Sequence, residues 1–390
     1  MVENLPYWRL SAFYFFLFSV IGSFVPYWSL YLKDIGFSAS EIGELLAIFM
    51  VMKVVSPNLW GWLADRSGWR IQLTRWLVVL ATLGFSVVYI GESYLVIAIG
   101  MVLFGLFLHA VMPQFEATTL NHLGPHTHRY SHIRLWGSIG FIVAVVALGP
   151  ILEQYPAFWL LPVITGFLIA TSITGFIVPG DAGHHTPPPP HGFLKILKRP
   201  EVIGLLCASF LMQLSHGPYY TFYSIHLQSA DYSRGLIGVL WGLGVFAEVV
   251  LFIIMHHVFA RYSLRHLLIA ALLLTTIRWL LIAFFVDSTL VIFFAQLLHA
   301  ASFGLYHVVA MQLIHHHFVG SHQVRGQSLY SSISFGVGGG LGAFTSGELW
   351  DGYGAEWVFS LAALATAIGL VIAWFTVRFG KVSSPTSLVQ

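Results

Sequence analysis

Twelve apolar runs of membrane-crossing length alternate with short polar connections along the chain. A spanning helix needs about 20 mostly apolar residues to cross a hydrocarbon core of about 30 Å. On that measure spans are predicted over residues 8–32, 41–63, 72–91, 94–120, 133–152 and 157–178, then over 201–228, 235–258, 266–286, 289–314, 326–349 and 356–377. The first run is too long for the apolar stretch of a secretion signal and has no small-residue cleavage site, so it is expected to be the first span.

Composition agrees with that pattern. Of 390 residues, 57% are hydrophobic and 9% are charged, against roughly a quarter charged in a soluble domain. The expected solvent for most of the chain is therefore lipid. The single cysteine, Cys207, excludes an intramolecular disulfide framework and reads as a small buried hydrophobe. The net charge of +2 and the lack of a basic run give no reason to expect a nucleic-acid partner. No phosphate-binding loop of the Gly-x-x-x-x-Gly-Lys-Ser/Thr type is present, so ATP-driven pumping is not expected, and no catalytic constellation lies on an exposed segment. Neither a cofactor nor a resident metal is expected.

Lys and Arg set the orientation, because short cytoplasmic loops collect them. With the N-terminus inside, fourteen of the eighteen fall on the inner side, Lys33 and Arg234 fall outside, and Lys53 and Arg278 lie within spans. The even helix count and this asymmetry support each other, and both termini are expected in the cytoplasm of a cell whose inner membrane holds the chain.

The longest polar stretch lies near the middle and carries four consecutive prolines with His184, His185 and His191. Proline-rich segments are extended and semi-rigid. The expected organisation is a six-helix bundle over 1–179, a cytoplasmic tether over 180–199 and a second six-helix bundle over 200–390. The linker histidines, like the run His315–His317, have no fixed ligand spacing and are not assigned a metal. The halves echo each other: the basic pair Arg66 and Arg70 recurs as Arg261 and Arg265, and an arginine opens a small-residue helix at Arg134 and again at Arg325. Internal repeats with a binding site at mid-membrane depth are the plan of many secondary transporters. The glycines of 336–342 make the eleventh span thin, which suits either a sliding helix or close packing.

Charges inside the spans carry the chemistry. Glu248 and Arg278 each have long apolar stretches on both sides, and a charge at the bilayer centre costs about 2.5–3.5 kcal/mol even on lenient insertion scales. One reading of the two is a structural ion pair; the other is proton coupling or solute binding. His299 is either a hydrogen-bonded helix contact or a proton-exchanging group, since an ordinary imidazole titrates near neutrality. Lys53 lies too deep in its span to reach water easily and suits an anionic solute. His216, His226 and His307, with the aromatic residues Tyr14, Trp28, Tyr219, Tyr220, Tyr223 and Trp241, are further candidates for an apolar pocket with polar tips.

Residues 61–70 read Gly-Trp-Leu-Ala-Asp-Arg-Ser-Gly-Trp-Arg and fall in the connection between the second and third spans. This resembles the signature loop of the major facilitator superfamily at Gly61, Asp65, Arg66, Gly68 and Arg70, and the resemblance implies a conformational latch there. Two further stretches, Pro26-Tyr-Trp-Ser-Leu-Tyr-Leu-Lys33 and His216-Gly-Pro-Tyr-Tyr-Thr-Phe-Tyr-Ser followed by Gly238 to Glu248, resemble the bacterial 3-phenylpropionate permease family, which is related to lactose permease. The likeness runs from end to end. It implies a twelve-helix, two-bundle all-α membrane fold around a central cavity, a small-molecule solute, protons as the coupling ion and a monomer.

The likeness to lactose permease also implies roles. Glu116 and Arg134 stand at the spacing of its sugar-binding pair, with Phe141 in place of its stacking tryptophan. Glu248, Arg278 and His299 resemble its proton-coupling group. Ser302 stands where that carrier has its proton-carrying glutamate, so Glu248 is the first expectation for the proton and His299 the second. The solute expected is an aromatic or apolar monocarboxylate held by Lys53 or Arg278, with Tyr219, Tyr223 and Trp241 around it. A sugar or nucleoside symporter and a proton-driven exporter are the alternatives.

Overall fold

In the computed structural model, residues 5–180 and 193–377 are described. The twelve proline and histidine-rich linker positions 181–192, including His184, His185 and His191, lie outside them, as do Arg378 and Lys381. Helices make up nearly all of the described chain, and no strand occurs among the described residues.

Six helices come first: α1 (Tyr7–Asp34), α2 (Ala39–Ser67), α3 (Arg70–Tyr89), α4 (Tyr94–Leu123), α5 (Thr127–Gln154) and α6 (Ala157–Ile177). After the short helix Phe193–Leu197 come α7 (Pro200–Ser229), α8 (Arg234–Arg261), α9 (Leu264–Phe284) and α10 (Thr289–His317). The last helical stretch, Gln323–Thr376, is 54 residues long. At 1.5 Å per residue that is far more than one bilayer crossing. Gly354, with φ 81 and ψ 172, breaks it into α11 (323–353) and α12 (355–376). Ten stretches of the described chain are both long and apolar enough to cross a membrane. The 54-residue stretch counts twice because of its kink. The 30-residue α7 completes the twelve, although Gln213, His216 and His226 dilute its apolar run. The expected count and fold class hold: this is an all-α, multi-pass membrane protein.

Local rules explain the ends. Ser38 opens α2 with a reciprocal cap, its hydroxyl accepting from the Glu41 N–H at 3.3 Å while the Glu41 carboxylate accepts from the Ser38 N–H at 2.9 Å. Gly68 closes α2 in the left-handed region at φ 70, which a side chain would resist. Cys207 corrects its expectation: it is exposed, not buried. On a helix whose surroundings are acyl chains, an apolar thiol facing outward needs no burial.

The described residues gather into two compact units. The first takes in those of Met1–Thr186, Tyr220–Gly242 and Ala343–Asp351; the second takes in those of Pro187–Tyr219, Leu243–Gly342 and Gly352–Gln390. In the first, α1 packs along α5 and α6, and α4 along α2 and α3. The α1–α5 crossing depends on missing side chains: a Cβ on Gly140 would lie 2.1 Å from the Phe15 carbonyl oxygen, and one on Gly22 2.6 Å from that of Phe141. Small residues at such crossings let backbones approach where lipid offers no hydrophobic drive for association. The start of α8 and the end of α11 seat in this unit by the same device, through Gly238 against Val145 and Gly347 against Gly43. In the second unit, α9, α10 and α7 share a core built around Leu268, Leu272, Tyr306 and Leu313.

Candidate functional site

Two polar centres interrupt the apolar interior, one in each unit. In the second unit Arg278, on α9, is fully buried. All three nitrogen positions of its guanidinium donate: Nε to the Ala295 carbonyl at 3.1 Å, Nη1 to Ser302 Oγ at 2.9 Å and Nη2 to Gln296 Oε1 at 2.9 Å. Its charge lies 4.2 Å from the ring centre of Tyr219, on α7, within cation–π range. The Tyr219 hydroxyl donates to the same Gln296 oxygen at 3.3 Å. Ser302 in turn donates to the His299 carbonyl at 3.3 Å.

One helical turn from Gln296, His299 faces α8 and places Nε2 2.9 Å from Glu248 Oε1; both residues are buried. Gly244 makes that contact possible, since a Cβ there would lie 3.0 Å from the His299 ring. The Tyr219 and His299 rings are 5.5 Å apart. Directly after His299, α10 winds as a π-helix over Ala300–Leu305, and α11 does the same over Ser332–Gly338. Such widened turns concentrate at functional sites.

Four expected residues thus meet: Arg278, Glu248, His299 and Tyr219. Their pairing differs from the structural reading considered above. Glu248 meets His299, while Arg278 meets neutral oxygens and aromatic faces. Two residues that charge alone could not flag complete the centre, Gln296 and Ser302, the latter known only as a departure from a related carrier. Gln296 is a neutral polar residue in an apolar run, and its one signal was its place three residues before His299.

The first unit holds most of the other candidates. Glu116 and Arg134 do not form an ion pair. The Tyr130 hydroxyl donates to Glu116 Oε1 at 2.6 Å, while Arg134 lies 3.9 Å from the centre of the Phe18 ring and 5.6 Å from that of Tyr14. Phe141 is buried, with its backbone at the Gly22 crossing. Lys53 stands on α2 within electrostatic range of His109 on α4, and His109 Nε2 lies 2.9 Å from the Phe49 carbonyl oxygen. His109 was not anticipated. Tyr223 and Trp241 meet edge to face with ring centres 5.7 Å apart, and the Trp241 indole donates to Ser224 at 2.9 Å. Among the other candidate histidines, His216 bonds to the Met212 carbonyl and lies edge-on to Trp279, His226 lies edge-on to Trp350, and His307 stacks with Phe303 and lies edge-on to Phe335.

The loop over 61–70 has the geometry of a tight corner. Arg70 Nη2 bonds to Asp65 Oδ1 at 2.7 Å across the turn at Gly68, and Arg66 lies over Trp62. At the C-terminal end of α1, Arg234 bonds to Asp34 at 2.6 Å and to the Leu152 carbonyl at 2.9 Å. A cleft of about 720 Å³ opens there, lined by Asp34, Glu153, Gln228, Ser233 and Arg234 among others and by none of the predicted site residues.

A bundle of lipid-facing helices with a buried, hydrogen-bonded charge cluster is the build of a membrane transporter. The chain belongs to the MFS_1 like family, whose sequence profile matches residues 7–361. It is 30% identical over 374 residues, 93% of this chain and 97% of the relative, to the Escherichia coli (strain K12) protein described as "Probable 3-phenylpropionic acid transporter". It is 27% identical to the maltose permease of Geobacillus stearothermophilus over 92% of each chain. The crystal structure of the nucleoside transporter NupG superposes with a TM-score of 0.84 at 12% identity, covering 97% of this chain and all of that one. The protein is therefore a major facilitator transporter of small molecules and not an enzyme.

Proposed function

We propose that this chain carries an aromatic or apolar monocarboxylate into the cell together with a proton, by alternating access of two six-helix bundles, 1–179 and 200–390. The observation that supports this most is the arrangement around Arg278. A buried guanidinium with neutral partners leaves a positive charge that a carboxylate balances. Beside it, Glu248 and His299 form a separate pair able to take up or release a proton. Binding a carboxylate and a proton together lowers the cost of closing a low-dielectric site over charge. Lys53, on α2, is the second cation suited to the carboxylate, and Tyr219, Tyr223 and Trp241 suit its apolar body. The description of the 30% identical relative as a probable 3-phenylpropionic acid transporter points the same way. On this reading the protein lies in the inner membrane with both termini in the cytoplasm, acts as a monomer, and uses the Gly61–Arg70 loop as a latch between states.

The test is the external pH of a lightly buffered, de-energised suspension of expressing cells. Adding 3-phenylpropionate should make the medium more alkaline with the wild-type chain and leave it unchanged with Glu248→Gln. Alkalinisation by both would remove Glu248 from the coupling. Silence from both, with the protein present in the membrane, would rule out acid uptake.

A second reading is a proton-coupled sugar or nucleoside symporter. The Glu116–Tyr130 bond and Arg134 over Phe18 favour it, because they offer a hydroxyl-binding group beside an aromatic face. Uptake of a neutral sugar with no response to carboxylates would establish it.

A further inference from the structure

Gln296 is fully buried on α10, and its amide has one end in use and one end idle. Arginine can only donate, so the amide atom facing Arg278 Nη2 is the oxygen. The Tyr219 hydroxyl donates to the same oxygen. The orientation of the amide is therefore dictated by its neighbours, and its nitrogen is turned away from both. That nitrogen, Nε2, has no hydrogen-bond acceptor in this structure. Buried donors left without a partner are costly and uncommon in folded proteins, and they call for an explanation. Gln296, His299 and Ser302 lie at successive three-residue steps of one face of α10, so the idle donor belongs to the same stripe as the group paired with Glu248.

We infer that Gln296 is a specificity-determining residue of the transport site: its N–H, clamped in position by Arg278 and Tyr219, donates to a carboxyl or carbonyl oxygen of the solute while Arg278 supplies the charge. This rests on the acid-transport reading above and adds to it. A glutamine serves both partners at once, since its oxygen satisfies the arginine and its nitrogen reads the solute. A glutamate at the same position would satisfy the arginine and present an acceptor where the solute now finds a donor.

The experiment uses the purified full-length chain in detergent, with affinities taken from ligand-induced thermal stabilisation. The three probes are 3-phenylpropionate, its primary amide and its methyl ester. In the wild type, the carbonyl oxygens of the amide and the ester both accept from Gln296. In Gln296→Glu, only the amide can donate to the new carboxylate. The amide-over-ester affinity ratio is expected to rise at least tenfold over its wild-type value. Neutralisation of Arg278 by the new carboxylate weakens the acid in any case but leaves the ratio of two uncharged ligands alone. An unchanged ratio therefore overturns the inference. Should Gln296→Glu fail to fold, Gln296→Met, which removes both amide atoms, is expected to weaken the acid at least tenfold, and unchanged acid affinity overturns the inference. A wild-type chain that binds none of the three defeats the acid-transport reading and this inference together; a wild type that binds with an unresponsive ratio defeats this inference alone.

Discussion

A guanidinium among helices needs an acceptor on each of its edges, and Arg278 finds them on one helix, from Ala295, Gln296 and Ser302. Lysine offers a single ammonium and cannot reproduce that planar fork. Arg278→Lys is expected to lower the transport rate constant kcat/KM at least tenfold, measured by radiolabelled solute uptake. Ser302→Ala removes the acceptor of Nη1 and strands a buried charged donor. It should cost about 1–3 kcal/mol of stability, read as a lower thermal midpoint in detergent, and a midpoint at the wild-type value would show that another group or water takes over. At this scale the sequence was legible where charge broke an apolar run, as at Glu248, Arg278 and Lys53. It was silent on Gln296 and His109, because a neutral polar side chain in a span has no signature until its partner is known. It also could not say that Glu248 meets His299, since that contact depends on the register between α8 and α10.

Between elements, glycine decides how closely helices cross. Gly140→Leu would drive a side chain into the Phe15 backbone, where a Cβ alone already sits 2.1 Å from a carbonyl oxygen. Its expected outcome is loss of the monodisperse peak in size-exclusion chromatography. Gly166→Ala on α6, where a Cβ meets nothing within 4 Å, should elute as the wild type does. Equal behaviour of the two variants would mean that the α1–α5 crossing does not limit folding. Helix number and position were readable from the apolar runs together with the Lys and Arg asymmetry, because lipid demands long apolar runs with internally satisfied backbones and short inner loops collect the cations. The kink at Gly354 fell between two predicted spans, and only the backbone reveals that they form one interrupted helical stretch.

Across the whole molecule, one arrangement occurs twice. Arg75 on α3 donates to the carbonyls of Gly175 and Val178 at the end of α6, with its guanidinium near the Phe176 ring. About 190 residues later, Arg265 on α9 donates to the Trp374 carbonyl at the end of α12, near the Trp374 ring. In each case a cation meets the terminal carbonyls that a helix cannot satisfy itself. The echo between the halves was visible in the sequence as Arg66 and Arg70 against Arg261 and Arg265. The geometry aligns Arg265 with Arg75 instead, because the shared feature is the partner helix end and not the neighbouring motif. Arg75→Ala and Arg265→Ala should each lower the thermal midpoint, and the double variant should show the sum of the two free-energy losses, since the pairs share no partner. A double variant no worse than either single one would indicate a common unfolding step.

The π-helix over Ala300–Leu305 has an alignment consequence. A wide turn holds one residue more than an α-turn of the same height, so it behaves as an insertion absorbed without a loop. A relative with a plain α-helix there would need a one-residue gap for its lipid-facing and inward-facing positions to stay in phase beyond it. Without that gap, each position downstream of His299 would be compared with a residue about 100° away around the helix. Grafting an inward-facing residue from beyond the wide turn, such as Tyr306, into such a relative would therefore require the extra residue as well as the side chain.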